Sequence, residues 1–274
     1  MCGMGTVTAS DEGDDDGGVA DTAEHSPAAG GKDHAAEKPS HPWFARLYDP
    51  VMRASEEKLF PPHREYLARD LSGDVLDLGA GTGAMLPYYE DAIRSGEATV
   101  TLLEPDPHMR EQAVAATRER DLDATVSDAR AESLPFPEDS FDVVVASMVF
   151  CTIPDPDAAL DEAARVLRPG GEFRYLEHVA EAGWRRFAQR ALAPLWRRLA
   201  GGCHLTRQTG ELFTERKSFA VVDSERLHLG VFPVRPFIRG TLERRAATAE
   251  LRADPSVCER VREAVAAARD RLDR

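Results

Sequence analysis

Lysine is nearly absent from this sequence of 274 residues: it occurs only at positions 32, 38, 58 and 217, and the other thirty of the 34 basic residues are arginine. Acidic residues number 48, so the formal net charge is -14. This charge argues against binding of nucleic acid by bulk electrostatics. An acidic surplus with little lysine is typical of a surface adapted to concentrated salt. A GC-rich coding sequence also favours arginine and alanine, and both explanations stay open.

Cysteine and long apolar runs are scarce as well. The four cysteines are widely separated and show no CxxC or zinc-ligand spacing, so no metal site is predicted: Cys2, Cys151, Cys203 and Cys258. This usage fits a reducing compartment. The longest nearly apolar run, residues 143–153, is too short to span a bilayer. Because the N-terminus is acidic and lacks an apolar stretch, no signal peptide is predicted. We expect a soluble, cytoplasmic protein.

Composition divides the chain into three parts. Residues 1–40 are rich in Gly, Ala, Asp and Ser, and nine acidic residues face two lysines. Such a segment has too little apolar surface to fold, so it predicts a disordered acidic tail. Residues 41–242 predict one folded domain, and residues 243–274 predict a helical extension.

Apolar runs alternate with helical stretches through the folded part. Strands are predicted at Asp74–Leu78, Thr99–Glu104, Ala124–Ser127, Phe141–Ser147 and Glu172–His178. Helices are predicted at 84–93, 107–120 and 157–167, and residues 220–241 predict two more strands around a turn near Gly230. This alternation indicates an α/β fold, in which helices cover both faces of a mostly parallel sheet.

Residues 184–199 predict an amphipathic helix. Five arginines interleave with five large apolar residues that helical spacing places on one face: Trp184, Phe187, Leu192, Leu195 and Leu199. Pro194 is expected to kink this helix. Three interpretations stay open: a lid over an apolar ligand, a helix on an anionic membrane surface, and a helix packed against the core.

The segment 75–84, Val-Leu-Asp-Leu-Gly-Ala-Gly-Thr-Gly-Ala, is the most informative part of the chain. An apolar strand enters a turn with glycine at 79, 81 and 83, and a helix is expected to follow. Glycine lets a backbone adopt unusual dihedral angles and approach a ligand closely. The N–H groups at the start of a helix can face an anionic part of that ligand.

Two carboxylates flank this loop and narrow the choice of ligand. Glu104 follows the next strand at the distance where an acid accepts hydrogen bonds from ribose hydroxyls. Asp77 precedes the first glycine, where a negative charge disfavours a pyrophosphate and favours a cationic amino acid group. S-adenosylmethionine combines ribose with an ammonium and a sulfonium and therefore matches both acids. The loop also satisfies the relaxed NAD(P) fingerprint, so an NAD(P)-dependent oxidoreductase is a weaker alternative.

Five motifs occur in order along the chain: Val75–Gly83, Leu103–Pro105, Asp128-Ala129 before Leu134–Phe136, Phe141–Val145 and Leu167–Gly171. On these motifs, the chain resembles the class I S-adenosylmethionine-dependent methyltransferases over roughly residues 42–240. Three further segments make it most similar to the thiol S-methyltransferase-like group, which also resembles quinone and phospholipid methyltransferases: Phe150-Cys151, Leu176–Ala180 and Gly202–Arg207.

The resemblance implies a Rossmann-like, seven-stranded sheet that is mostly parallel, with an antiparallel final strand. It also implies that residues 180–207 form a lid on the side of the methyl acceptor. Gly79, Gly81 and Gly83 would line the methionine and ribose. The resemblance implies further roles in binding S-adenosylmethionine for Asp77 (ammonium), Glu104 (ribose diol), Asp128 and Ala129 (adenine), and Ser147 (methionine portion).

Methyl transfer from a sulfonium is an in-line displacement, so the protein mainly aligns the donor with the acceptor. The acceptor is expected to be small and apolar, with a thiol favoured and a quinone or a lipid as alternatives. His178 and His204 are the candidate bases that would help to ionise a thiol or a quinol. Cys151 and Cys203 are expected to be small packed residues rather than nucleophiles. A non-catalytic module that binds S-adenosylmethionine is the second functional class, and no protein partner is predicted.

Overall fold

The computed structural model describes residues 58–229 and 232–246. Six helices lie in this part of the chain: α1 (Pro61–Ala68), α2 (Leu86–Ser95), α3 (Pro107–Glu119), α4 (Pro156–Val166), α5 (Trp184–Leu199) and α6 (Thr209–Glu215). Seven strands accompany them: β1 (Gly73–Leu78), β2 (Ala98–Leu103), β3 (Ala124–Ser127), β4 (Phe141–Ser147), β5 (Leu167–His178), β6 (Phe219–Leu227) and β7 (Phe237–Arg244).

The seven strands form one sheet in the order β3-β2-β1-β4-β5-β7-β6. Neighbouring strands are parallel from β3 to β5, and β7 is antiparallel to both β5 and β6. The predicted α/β fold with an antiparallel end is therefore confirmed. The strand order reverses between β1 and β4, and ligands of open α/β sheets bind outside the carboxyl ends of the strands at such a point.

Both faces of the sheet are buried, which explains the nearly continuous apolar runs of its central strands. Leu76 and Leu78 of β1 pack in one core cluster with Val144 of β4. Val75 and Val143 point to the opposite face and pack in a second cluster. Side chains alternate between the two faces along each strand, so every position of these strands needs an apolar residue except where function requires another.

Some predicted boundaries were wrong. Helix α2 begins at Leu86 rather than Ala84, because residues 81–85 form turns and Gly83 has a φ of 87°. Strand β5 begins at Leu167 rather than Glu172, since Leu167 pairs with Phe141 before the register shifts. Strand β7 continues to Arg244, two residues beyond the predicted end of the domain.

Several predictions lie outside the described residues. They are the acidic tail 1–40, the turn at Gly230 and all of the C-terminal extension after residue 246. In the described ranges, no helix has the length and apolar character that crossing a membrane requires.

Candidate active site

The glycine loop adopts the backbone conformation that its sequence predicts. Gly79, Gly81 and Gly83 all have positive φ, at 66°, 59° and 87°. A Cβ atom on Gly79 would lie 2.1 Å from the Cγ2 atom of Val149, so the loop after β4 packs directly against the backbone there. No other residue fits position 79 without displacing Val149.

Glu104 fastens this loop to the end of β2. Its Oε2 atom accepts a hydrogen bond from the backbone N–H of Gly81 at 2.9 Å, and its Oε1 atom accepts one from Asp106 at 2.8 Å. Burial raises the pKa of Glu104, and these two hydrogen bonds oppose that rise. Each carboxylate oxygen has a second lone pair, so Glu104 can still accept hydrogen bonds from a ribose diol.

Asp77 places a buried carboxylate near the end of β1, where the Tyr89 hydroxyl is a hydrogen-bond partner of its side chain. Its side chain is 1% exposed, and its Oδ2 atom has no hydrogen-bond partner among the described residues. Burial raises the pKa of Asp77 to about 7, and the positive charge of Arg64 opposes that rise. An unpartnered buried carboxylate oxygen is costly. A cationic ammonium group would satisfy it, so the site fits S-adenosylmethionine.

Arg64 is a site residue that the sequence analysis missed. It belongs to α1, is 2% exposed, and approaches the Ser147 Oγ atom with its Nη1 atom at 3.5 Å. Its charge also acts on Asp77. Nothing in the spacing of α1 distinguishes this arginine from a surface arginine, because the contacts depend on how the helix packs against the sheet.

The other predicted cofactor residues lie at the same edge of the sheet. Asp128 and Ala129 directly follow β3, and the backbone N–H of Ala129 donates to the Ser127 Oγ atom at 3.3 Å. Ser147 is the last residue of β4. Met148 follows it with a φ of 59°, a strained conformation for a residue other than glycine. All eight predicted cofactor residues thus lie at the carboxyl end of β1, β2, β3 or β4.

A second group of polar side chains lies beside β4 and β5. Cys151, His178 and Cys203 are all buried, and their ligand atoms lie within 4.8 Å of one another. The Nε2 atom of His178 is 3.0 Å from the Cys203 sulfur, and the Nδ1 atom of His178 has no partner among the described residues. We call these three residues the Cys-His cluster. The spacing of the cysteines in the sequence did not predict it.

The ionisation of the Cys-His cluster is strongly perturbed. The hydrogen bond from Cys151, opposed by burial and reinforced by the hydrogen bond with His178, lowers the pKa of Cys203 to about 4. Burial lowers the pKa of His178, but contact with Cys203 outweighs it and the net shift is upward. The hydrogen bond to Cys203, together with burial, raises the pKa of Cys151. These shifts favour ionisation of Cys203 over ionisation of Cys151.

Glu177 supports the cluster from β5, and the sequence analysis assigned it no role. Its Oε1 atom accepts hydrogen bonds from the backbone N–H groups of Val149 and Phe150 at 2.7 and 2.9 Å. Its Oε2 atom is buried without a partner in the described part of the chain. Burial raises the pKa of Glu177 to about 7, against the effect of these two hydrogen bonds.

The segment after α5 is fastened to the loop after β4. The backbone N–H of His204 donates to the Cys151 carbonyl oxygen at 2.9 Å. Arg207 donates from its Nη1 atom to the carbonyl oxygen of Phe150 and, at 2.6 Å, to that of Ile153. These contacts hold Cys203 against Cys151.

A pocket of about 250 Å³ lies between α5 and this segment. It is lined by Ala193, Pro194, Arg197, Cys203, His204, Leu205 and Thr206. Burial lowers the pKa of His204, and the charges of Arg207 and Arg197 lower it further. His204 is therefore neutral at pH 7. Of the two candidate bases, His204 faces the pocket, whereas His178 is 3% exposed and bound to Cys203.

Helix α5 presents its apolar face outward, so the interpretation that this face packs on the core was wrong. Trp184, Phe187, Leu195 and Leu199 are 74%, 70%, 55% and 67% exposed. Gln189, on the other side of α5, is fully buried: its side chain bonds the backbone of Glu181, Pro233 and Arg235. The helix continues through Pro194 to Leu199. The side of α5 that contacts the protein carries Gln189 together with the half-buried Ala193 and Trp196.

Comparisons with known proteins agree with this geometry. A family model described as "Methyltransferase domain" matches residues 76–175. Human thiol S-methyltransferase TMT1A is 32% identical over 204 residues, which cover 72% of this chain and 81% of the relative. Phosphatidylethanolamine N-methyltransferase from Cereibacter sphaeroides is 36% identical over 111 residues, 39% of this chain and 52% of the relative.

Solved structures share the fold. A SAM-dependent methyltransferase from Methanosarcina mazei matches with a TM-score of 0.54 at 19% identity, covering 69% of this chain and 99% of the other. One from Aquifex aeolicus matches with a TM-score of 0.51 at 16% identity, covering 74% and 98%.

The chain therefore belongs to the class I S-adenosylmethionine-dependent methyltransferases, and S-adenosylmethionine is its cofactor. It is an enzyme, which overturns the alternatives of a non-catalytic module and an NAD(P)-dependent oxidoreductase. Within this class, it is similar to relatives that carry the name thiol S-methyltransferase.

Proposed function

We propose that this methyltransferase transfers the methyl group to the sulfur of a small apolar thiol. The observation that carries the proposal is the pocket between α5 and residues 203–206. It is lined by the neutral imidazole of His204, by Arg197 and by apolar side chains. The similarity to human TMT1A supports a thiol rather than another acceptor.

Bound S-adenosylmethionine supplies an activated methyl group, so the chain needs to position the two reactants and ionise the thiol. Asp77 would hold the ammonium, Glu104 the ribose diol, and the glycine loop would allow close approach of the backbone. Asp128 and Ala129 would contact the adenine, and Ser147 the methionine portion.

His204 would accept the thiol proton. A thiol has a pKa near 8.5, and only its thiolate is a good nucleophile, so a base raises the reactive fraction at neutral pH. His204 is suited to this step because it is neutral at pH 7 and lines the pocket. Arg197, in the same lining, would stabilise the thiolate that results. His178 would act as a positioning residue through Cys203.

Replacement of His204 by glutamine tests this role. Formation of S-adenosylhomocysteine is measured with a small alkyl thiol over a range of pH, for wild type, H204Q and the control H108Q on α3. We expect H204Q to lower kcat by about 10²-fold at pH 7, and to approach wild type once the thiol ionises without help. A uniform loss at all pH values would contradict a role as base. Turnover of quinols or phosphatidylethanolamine but of no thiol would overturn the choice of acceptor.

We also propose that α5 rests on an anionic membrane surface. Four large apolar side chains project outward from α5, and five arginines lie along the same helix: Arg185, Arg186, Arg190, Arg197 and Arg198. A helix with apolar and basic residues of this kind binds at the boundary of headgroups and acyl chains. The pocket opens beside α5, so an apolar thiol dissolved in the membrane would reach it directly.

Co-sedimentation with vesicles tests this surface. We expect wild type to bind phosphatidylglycerol vesicles and to release them as salt is added. W184S/F187S should lose this binding. The matched control V221S/V222S, which changes exposed apolar residues of β6 (46% and 56% exposed), should keep it. Absence of binding by wild type, or equal losses in both variants, would contradict the proposal.

A further inference from the structure

The Cys-His cluster brings together three soft ligands from three separate segments. Cys151 lies in the loop after β4, His178 ends β5, and Cys203 follows α5. The two sulfurs and the His178 nitrogen lie within 4.8 Å of one another, and each of the three residues is less than 9% exposed. Thiolate and imidazole are the ligands that zinc prefers, in tetrahedral geometry.

The number of ligands indicates which type of zinc site the cluster resembles. In residues 58–229 and 232–246, the group of ligands contains three residues and no fourth. Structural zinc sites use four protein ligands, whereas catalytic sites use three and keep one position open for water or substrate. Cys203 lines the 250 Å³ pocket, so one side of the cluster is accessible to a small molecule.

The surroundings suit a divalent cation. Glu177 directly precedes His178 on β5, and its Oε2 atom is buried without a partner in the described ranges. The Nε2 atom of His178 faces Cys203, so this atom would be the ligand, and the buried Nδ1 atom would carry the proton. A dication offsets the charge of two buried thiolates and a carboxylate, which would otherwise be costly.

The cluster also lies next to the cofactor loop. The side chain of Val149 occupies the space that a Cβ atom on Gly79 would need, and the backbone N–H of Val149 donates to Glu177. Cys151 follows two residues later. The cluster therefore lies beside the loop after β4, and that loop contacts the glycine loop.

We propose that Cys151, His178 and Cys203 bind a zinc ion whose fourth position opens toward the pocket and takes the sulfur of the acceptor. The second half of this statement rests on the proposed thiol methylation. A thiol would replace a zinc-bound water: the zinc–sulfur bond forms, water leaves, and the thiol proton passes to His204 and then to solvent. Sulfur then takes the methyl group as the sulfonium bond breaks, and the neutral thioether and S-adenosylhomocysteine leave.

The metal content of the full chain tests the site without any measurement of activity. After exposure to zinc and dialysis, we expect wild type and the control H108Q to retain about one zinc ion per chain. C151S, C203S and H178Q should each lose zinc affinity by more than about tenfold. Calorimetric binding of S-adenosylmethionine identifies variants that remain folded. A wild-type protein that retains no zinc would overturn the proposal, whatever the variants do.

Cobalt substitution tests the open position. We expect the cobalt form to show sulfur-to-metal charge-transfer bands that C203S weakens, and we expect these bands to shift when an aryl thiol is added. Bands that do not shift when the thiol is added would overturn the proposal that the acceptor sulfur binds the metal. Equal thiol turnover by metal-free and zinc-loaded enzyme would do the same while leaving thiol methylation intact. A metal-binding protein that methylates no thiol would instead refute the proposed function and leave the metal site standing.

Discussion

The carboxylates of Glu104 and Asp77 differ in the hydrogen bonds that their oxygen atoms accept. Both oxygens of Glu104 accept backbone hydrogen bonds, so this residue shapes the glycine loop. Asp77 keeps a buried Oδ2 atom without a partner among the described residues. We therefore expect Glu104 to organise the loop before S-adenosylmethionine binds, and Asp77 to gain a partner for its Oδ2 atom when the ammonium group binds.

Replacement of Glu104 separates these two effects. We expect E104A to weaken binding of S-adenosylmethionine by at least about tenfold, or ~1.4 kcal/mol, because it removes a charge-assisted contact and leaves the Gly81 N–H without its acceptor. E104Q keeps a carbonyl acceptor and should lose less. Calorimetric titration provides the comparison, with the exposed residue change E111Q on α3 as control. Unchanged affinity in E104A would show that this acid does not contact the ribose.

The raised pKa of Asp77 predicts a pH dependence of cofactor binding. A cationic ammonium binds the ionised carboxylate, so protonation of Asp77 competes with binding. As pH falls below about 7, the affinity of wild type should weaken by up to about tenfold per unit. D77N should bind more weakly at pH 8 and lose this dependence. The dissociation constant, measured from pH 6 to pH 8, checks both outcomes. A dependence that persists unchanged in D77N would assign the titration to another group.

Sequence spacing located these two acids because they stand at fixed distances from the glycine loop. It could not locate Arg64, Glu177 or the Cys-His cluster, because their contacts are made across the fold. His178 and Cys203 are 25 residues apart, and they meet only because residues 203–207 fold back onto the loop after β4.

At the scale of single elements, α5 shows what periodicity can and cannot predict. The spacing of Trp184, Phe187, Leu195 and Leu199 correctly predicted a helix with one apolar face. Periodicity does not determine whether that face turns toward the core, because neighbouring elements decide it. Here the buried hydrogen bonds of Gln189 hold the opposite face against the protein.

The β5-β7-β6 end of the sheet depends on one glycine. Tyr175 of β5 crosses over Gly240 of β7 to donate a hydrogen bond to Ser224 of β6 at 2.8 Å. A Cβ atom on Gly240 would lie 2.5 Å from the Tyr175 hydroxyl oxygen and 2.4 Å from the backbone oxygen of Asp223. Only glycine leaves room for this crossing.

Replacement of Gly240 by alanine should therefore destabilise the protein by about 1–3 kcal/mol, as overpacking in a core does. The matched control is G210A in α6, where the nearest atom to a new Cβ would lie 3.4 Å away. This control should keep or slightly raise stability, because alanine favours helices. Urea unfolding monitored by circular dichroism measures both. Equal stabilities would show that the hairpin accommodates the extra atom.

At the scale of the whole molecule, alternation of strands and helices predicted the sheet and its parallel part. The resemblance to the methyltransferase family supplied the strand count and the antiparallel end. The register of the strands could not be predicted from the sequence. The early start of β5, for example, depends on the pairing of Leu167 with Phe141, and neither segment alone encodes this contact. All eight predicted cofactor residues lie at the carboxyl edge of the sheet. This is the edge at which the strand order leads us to expect a ligand site.

The net charge of -14 leads to a prediction for the whole chain. Salt screens the repulsion among acidic side chains, so a surface adapted to salt should gain stability as KCl approaches molar concentration. The melting temperature, measured in rising KCl, checks this expectation. A flat response would favour nucleotide composition as the origin of the arginine bias.

The most direct test of the account is to identify the atom that receives the methyl group. The enzyme is supplied with S-adenosylmethionine carrying a deuterated methyl group and with an equimolar mixture of an aryl thiol and the phenol of the same skeleton. We expect a labelled thioether as the product in mass spectra. Label on the phenol oxygen, or label on neither while S-adenosylhomocysteine accumulates with a lipid or quinol acceptor, would contradict it.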